Sequence, residues 1–573
     1  MLKLRNSIVL SYIFFFHGAL SAQSGQLIPN YFRSPVDFTY NISGNFCELR
    51  ETHFHAGIDI KPSTSGSKDK IYSIGDGYIS RIRVSAGGFG RAIYIDHPDV
   101  GYTSVYAHMD IFYDNIENQV KKYQMAQESF EVDFLPEQDV FPIKKGDVIG
   151  IMGNTGFSFG KHLHFEIRDT KTEKPINPFL FGMDVSDTSA PSFISLAVHG
   201  LDSELYKICD IRIPAETAEN GIIKMVDPIL VPAQSVGIAI HAIDKSDNSH
   251  NKLGIYGLHM YVDDTLKYSY HLDKVSFDQT RQIIGFYDYE VKKEENKTYA
   301  LCYKYPGNNL EFLNKTGSGI IEMYTAKDRN VRIEIEDFRR NKKTIHFLLR
   351  RSEILSEVNV KSFQKLIPVH EDITIHEKNL FVNFKENSLF RNIRFNLTAN
   401  TVEGKETQYD IHEGQEPVKS PIEIGIKPDH PIIDKKDKAV ILMINGKNRK
   451  VNYGGRWNDG FLTTKIREFG TFSFGYDTLA PDIRSIDFVS KVGKRNKFRF
   501  KLNDNMSVRG DYASQLTYKV WINDIFIISP YSTKTGILEV PIGDLFSGTY
   551  QLRIEARDHS DNLAIFSAPF FKK

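Results

Sequence analysis

Residues 163–169, LHFEIRD, alternate with a period of two: Leu163, Phe165 and Ile167 are apolar, whereas His164, Glu166 and Arg168 are ionisable. Only an extended strand puts the first set on one face and the second on the other, because successive strand side chains point to opposite sides of a sheet. Such a strand buries one face and offers imidazole and carboxylate groups from the other; His162, two residues before His164, joins the polar face. Short segments of the same kind recur as KIYSIGDGYISRIRVS, GRAIYIDHP, GYTSVYAHMD and GDVIGIMGN, punctuated by glycines and Asp-Gly or Asn-Thr-Gly turns. With 40 phenylalanines, 28 tyrosines and few alanine-rich stretches, the chain reads as mostly β. One polar periodic segment, DNIENQVKKYQMAQESF from Asp114, predicts a helix and is read as a surface insertion.

A chain of 573 residues exceeds what one core supports and predicts roughly three to five domains. Residues 1–22 combine Lys3 and Arg5, an apolar run from Ile8 to Leu20 and small residues after it, the pattern of a secretory signal peptide cut near Ser21 or Ala22. The run is short for a spanning helix and no later segment reaches transmembrane length, so the mature protein is expected to be exported, with no membrane span. Lysine plus arginine balance aspartate plus glutamate at 72 each, which leaves no global field to draw nucleic acid. Cys47, Cys209 and Cys302 cannot all pair; a Cys209–Cys302 bridge and buried free thiols are the two options.

Six of the 18 histidines (His53, His55, His97, His108, His162 and His164) lie in a first domain read as residues 30–182, an antiparallel β-sheet unit. Beyond it, DTSAP at Asp187 recurs as DTLAP at Asp477, and AIDKSDN at Ala242 recurs as EARDHSDN at Glu555. These pairs fit the entry strand and a late strand-plus-turn of an immunoglobulin-like sandwich, and a third echo, IEIEDFRRNKKTIHFLLRR, lies between them. They divide the remainder into about three β-sandwich modules, at 183–350, 351–474 and 475–573. No clustered catalytic constellation stands out in these modules, so their expected roles are spacing, docking or binding.

Three stretches of the first domain carry metal-site residue types. In HFHAGIDI, His55 and Asp59 are four apart and share a strand face, with His53 a competing candidate. In HLHFE, His162 and His164 share a face, and in GYTSVYAHMD the alternation groups His108 with Tyr106, Ser104 and Tyr102. Histidine and carboxylate ligands suit zinc at roughly 2.0–2.2 Å, and three of them leave a fourth position for water.

In order, spacing and flanking glycines, HAGID, YAH and GNTGFSFGKHLHFE resemble the three signature segments of the lysostaphin-type zinc peptidases, which hydrolyse peptide bonds in bacterial peptidoglycan. The likeness covers about residues 36–180 and implies an open antiparallel sheet with a metal in a groove along it. It implies Zn2+ as cofactor, with His55, Asp59 and His164 as metal ligands and His162 and His108 as catalytic residues. His53 is then a groove-wall or surface residue. Two departures are visible: Lys161 stands where proline is usual before HLH, and Cys47 where glycine is common. Neither removes a ligand. The chain has no HExxH segment, so imidazole must act as base. His162 is expected to take the proton of zinc-activated water and hand it to the leaving amine, while His108 donates to the oxyanion, the two roles being exchangeable. Glu166 is read as orienting a ring or as a surface carboxylate, and Arg50 as positioning substrate or as ion-paired.

The leading expectation is thus a zinc metalloendopeptidase of the periplasm or cell envelope, or a secreted one, with peptidoglycan as substrate and an envelope regulatory protein as a further partner. A catalytically silent wall-binding or hydrolase-activating protein and a β-sandwich adhesin are the alternatives. The long neutral tail resembles that of Gram-negative envelope enzymes, for which the bond would be a D-alanyl–diaminopimelyl cross-link. A tail that occludes the groove is equally compatible with the sequence.

Overall fold

The computed structural model describes residues 31–573 apart from 51, 64–67, 184, 216–221, 225–227, 248, 314–316, 354–361, 413, 433–434, 447–448 and 510–515. The signal-peptide reading at 1–22 lies outside the described residues. The chain is mostly β, as its alternation predicts. The first domain runs through β1 (Ile42–Gly44), β2 (Ile58–Ile60), β3 (Lys70–Tyr72), β4 (Gly77–Val84), β5 (Arg91–His97), β6 (Tyr102–Ala107) and β7 (Met109–Phe112). It continues through α1 (Asp114–Gln127), β8 (Val132–Phe134), β9 (Pro142–Ile143), β10 (Val148–Met152), β11 (Leu163–Asp169) and β12 (Pro175–Ile176). The large sheet has the order β1-β2-β11-β6-β5-β4-β8, and β3-β10-β7 form a smaller one.

β11 lies inside the large sheet, paired antiparallel with β2 and β6. Leu163, Phe165 and Ile167 meet Ile58, Ile60 and Tyr106 in a fully buried layer, which is the apolar half of the alternation. Helix α1 is a packed element rather than a surface insertion: Ile116 and Val120, one turn apart, join the same core, and Glu117 is ion-paired with Arg91.

After this domain the chain forms a β-sandwich over roughly 190–351, a second β-rich unit over 365–476 and a further sandwich over 482–572, each with its own apolar core. The first and last sandwiches share one strand plan. Ser192–Leu201 pairs with Ser235–Ile243 as Asp482–Ser485 pairs with Lys497–Asn503. Ile229–Val231 lies parallel to Lys342–Arg351 as Lys491–Val492 lies parallel to Leu563–Lys572. The tight hairpins at Asp263-Asp264 and Asn523-Asp524 both use two consecutive left-handed residues, the turn that matches strand twist.

This plan revises the pairing of the repeats. The structural counterpart of RDHSDN is EDFRRN, the third echo, and not AIDKSDN. In each hairpin turn the closing asparagine, Asn341 or Asn562, donates its backbone N–H to Asp337 Oδ1 or Asp558 Oδ1, and its side chain to the Asp187 or Asp477 carbonyl at 3.1 Å. Asp244, which ends its strand, corresponds instead to Asp504. Three aspartates thus gather in each copy. Burial raises the carboxyl of Asp244 to about 7, and burial with neighbouring carboxylates raises Asp187 to about 6. All three cysteines are free, so the Cys209–Cys302 bridge does not form.

The first domain is not separable from the first sandwich. Phe46, Cys47 and Phe54 belong to the sandwich core, where Phe54 makes edge contacts with Phe286 and Phe312 at 5.9 and 5.7 Å between centroids. Cys47 has a left-handed φ of 57°, which explains why glycine suits this position, and its thiol is buried. Asn45 exchanges two hydrogen bonds with the Gly254 backbone, at 2.7 and 2.9 Å. We expect Phe54→Ala to destabilise the full chain by about 3–5 kcal/mol in urea unfolding. A loss below about 1 kcal/mol would show that this junction is not packed as described.

Candidate active site

The register of β11 builds the site. His164 lies directly opposite Asp59 on β2 and Ala107 on β6, so the polar face of the alternation converges on one spot. Gly57 makes the approach of β2 possible, because a Cβ there would lie 2.2 Å from the Phe165 carbonyl oxygen. His55, just before β2, completes the group. His55 Nε2, His164 Nδ1 and Asp59 Oδ1 lie 3.0 Å from one another. His53, by contrast, is exposed.

The outer nitrogens of both rings are spoken for. His55 Nδ1 is 2.8 Å from the Asn45 carbonyl, which can only accept, so the proton sits on Nδ1. His164 Nε2 donates to Glu166 Oε1 at 2.8 Å. Glu166 is buried, yet Arg168 and His164 pull its carboxyl down to about 2, so it is a carboxylate. Glu166 therefore orients a ring rather than facing solvent. Two imidazole lone pairs and a carboxylate oxygen are thereby aimed at one another, an arrangement that only a shared cation relieves. Ligands of a tetrahedral metal at 2.0–2.2 Å stand roughly 3.3–3.6 Å apart, so a shift of a few tenths of an ångström fits a divalent ion here.

In the metal-free chain a proton takes this place. Burial works against charge on His164, but hydrogen bonds from its ring to Asp59 and Glu166 prevail and raise its pKa to about 9. Asp59 is correspondingly held well below the usual carboxylate range, against its burial, by His55 and His164. Arg50 donates to Asp59 Oδ2 at 3.0 Å, leaving Oδ1 for the cluster; it is the ion-paired member of its two readings.

His162 and His108 border the cluster, with ring centroids 4.7 Å apart, and His162 Nε2 is 3.6 Å from Asp59 Oδ1. The structure corrects the face predicted for His108. Tyr106 points into the core and donates no side chain to the groove, whereas His108 stands 5.9 Å from the His164 ring. The cause is a left-handed φ of 60° at His108, which breaks the alternation where the chain leaves β6 for β7. Each ring points Nδ1 at a carbonyl, Thr155 for His108 at 2.9 Å and Gly160 for His162 at 2.8 Å. Their Nε2 atoms are therefore acceptors. Burial lowers both, and the neighbouring His164 and His162 help bring His108 to about 3. A neutral His108 with this tautomer accepts hydrogen bonds at Nε2, which does not suit the oxyanion-donor role expected for it.

The rim of the site involves residues that motif reading left out. Phe89 packs on His164 at 5.1 Å. Ser158 Oγ is 3.3 Å from His162 Nδ1, and Lys161 is paired with Asp69 at 3.0 Å. From the far end of the chain, Thr533 donates to the Ala86 carbonyl at 3.2 Å, and Lys534 Nζ donates to the Ser158 carbonyl at 2.8 Å while lying over Phe159. Nothing in the sequence signalled this contact. A second histidine-acid group, His259, His271 and Glu336, has its carboxylate already engaged by Arg340 and Lys342.

The profile of peptidase family M23 matches residues 53–128 and 137–178, the stretch that holds the histidine–aspartate cluster; a Zu5-like domain profile matches residues 364–477. An uncharacterized metalloprotease of Haemophilus influenzae is 28% identical over 137 residues, 24% of this chain and 23% of that protein. The DD-carboxypeptidase/endopeptidase Mpg of Neisseria meningitidis is 29% identical over 130 residues, 23% of each chain. The match thus spans about a quarter of the length of these relatives. Among solved structures, a zinc-containing peptidase from Vibrio cholerae is 25% identical over 27% of this chain and 40% of its own, with a TM-score of 0.19. The catalytic domain of lysostaphin from Staphylococcus simulans is 21% identical over 25% of this chain and 92% of its own, with a TM-score of 0.17.

Metal loading should release a proton from His164. Below about pH 9 the metal-free ring is protonated, so apparent affinity for a divalent metal rises with pH towards about 9 and flattens beyond it. Calorimetric titration at pH 7 in buffers of different ionisation enthalpy checks this; binding without proton release would contradict it. Glu166→Gln, which weakens the acceptor for His164 Nε2, should lower metal affinity by about 10- to 100-fold in the same titration.

Proposed function

We propose that this chain is a zinc endopeptidase that hydrolyses peptide bonds of bacterial peptidoglycan, cross-links or stem peptides. The observation that carries the reading is the 3.0 Å convergence of His55 Nε2, His164 Nδ1 and Asp59 Oδ1 beside two neutral imidazoles. Two nitrogens and one carboxylate oxygen suit zinc, which when bound polarises a scissile carbonyl and acidifies water. His162, whose Nε2 faces the cluster, takes a proton from the attacking water and returns it to the leaving amine. It is the base of the pair because its Nε2 lies 3.6 Å from Asp59 Oδ1, whose charge favours a proton there. His108 Nε2 accepts a hydrogen bond from the water or from the amine and so orients it. The name of the neisserial relative, a DD-carboxypeptidase/endopeptidase, supports the substrate class.

Such a substrate implies an exported enzyme of the periplasm, the cell envelope or the medium, in keeping with the leader-like segment at 1–22. Among the described residues no helix is long and apolar enough to cross a membrane. One observation supports a restraining tail: the Thr533–Lys534 turn rests on both loops that border the histidines. On this reading the last sandwich limits access to the groove, and an envelope protein that displaces it would raise activity.

Mass spectrometry of muropeptides from purified cell wall, digested with and without chelator, tests the reaction. Chelator-sensitive loss of cross-linked or stem peptides is expected, and an unchanged profile rules the enzyme out. His164→Ala should lose metal and activity together, whereas His162→Ala should keep the metal and lose about 10²- to 10⁴-fold in kcat. Lys534→Glu should speed turnover if the tail restrains the groove; an unchanged or slower rate argues against restraint.

A further inference from the structure

The repeated aspartates have no role in the peptidase chemistry. Asp187, Asp244 and Asp337 come from the entry strand, the end of the second strand and the late hairpin of the first sandwich, and each offers an oxygen within 4.8 Å of the others. They sit where this sandwich meets the peptidase domain. A small cavity of about 20 Å³ there is lined by Asp187, Asp244, Ser246 and Arg339 from the sandwich side and by Ile42 and Asn45 from the other. That is room for a single small particle. Asp244 is only 5% exposed, and its Oδ1, like the hydroxyl of Ser246, is buried without a hydrogen-bond partner among the described residues. Asp187 feels the charges of Asp337 and Asp247 as well as the opposing charge of Arg339, so negative charge is concentrated at this junction. Buried oxygens without donors beside a particle-sized cavity are costly unless something positive binds them.

The second sandwich copy carries aspartates at the same three positions at its own junction, although their oxygens do not all approach within 4.8 Å of one another as those of the first copy do. Asp477 is fully buried, and its Oδ1 and that of Asp504 have no partner among the described residues. Asp504 feels the charges of both Asp477 and Asp558. The junction partner here is the middle unit, whose Asn452 holds Asp477 Oδ2 at 2.9 Å and whose Lys438 reaches the Ser560 carbonyl at 2.7 Å. Both copies carry the same three acidic positions and the same asparagine clamp.

We propose that Asp187, Asp244 and Asp337 bind one calcium ion, and Asp477, Asp504 and Asp558 a second, each locking a sandwich to the unit before it. All-oxygen ligands select a hard cation, and calcium accepts the irregular carboxylate and carbonyl sets that a module junction offers. Magnesium demands near-ideal octahedral geometry and dehydrates reluctantly, which three carboxylates fixed on separate elements of a junction do not suit. The histidine cluster, with two nitrogen donors, is of a different class and is not a competing calcium site.

The test is calcium binding to the EGTA-treated full chain, by equilibrium dialysis and calorimetry at up to millimolar calcium. Two ions per chain are expected, with a rise in thermal midpoint. The Asp244→Asn/Asp337→Asn and Asp504→Asn/Asp558→Asn variants, which keep side-chain volume and remove repulsion, should each lose one ion and remain folded by near-ultraviolet circular dichroism. Asp187→Asn is a second variant for the first site, also expected to lose one ion. His164→Ala should leave the stoichiometry at two. Zero ions in the wild type, or a stoichiometry unchanged in either folded double variant, overturns the proposal, as does displacement of calcium by equimolar magnesium.

Discussion

Two imidazole lone pairs facing a carboxylate oxygen at 3.0 Å are the constraint around which the first domain is organised. With neither a proton nor a metal between them they would repel, and each ring would rotate to find a donor. They stay because their other nitrogens are tied down, one to the Asn45 carbonyl and one to Glu166, and because antiparallel register sets Asp59 across from His164. Glu166 in turn keeps its charge against complete burial through Arg168. The site's cation affinity is therefore a property of hydrogen bonds one shell out.

That outer shell extends past the domain boundary. Asn45, whose carbonyl fixes the His55 tautomer, has its side-chain amide paired with the Gly254 backbone of the first sandwich. The loop from Asn45 to Phe54 contributes Phe46, Cys47 and Phe54 to the sandwich core. The sandwich is thus part of the scaffold that presents a candidate ligand, in addition to whatever it binds or spaces.

Much of this was legible in the residue pattern, and the exceptions have physical causes. Alternation in LHFEIRD gave the strand, its buried face and the shared side of His164 and Glu166, because period two is a local property of extended backbone. It failed at His108, where one left-handed residue reverses the face, and such a φ leaves no mark on composition. Helix α1 was readable from its polar periodicity, but its packing was not, since Ile116 and Val120 are few among many charges. The pairing of AIDKSDN with EARDHSDN followed shared letters; backbone register pairs EDFRRN with RDHSDN, because the turn is conserved in hydrogen bonding more than in spelling. Contacts such as Thr533 to Ala86 join residues too distant along the chain for any local signal.

This last contact also orders events in time. The peptidase domain is finished, as a polymer, by residue 178, whereas the turn that rests on its rim lies beyond residue 530. On a chain made from one end, the histidines can assemble long before their cover exists. The completed rim therefore waits for a segment made more than 350 residues after the last of the histidines it borders.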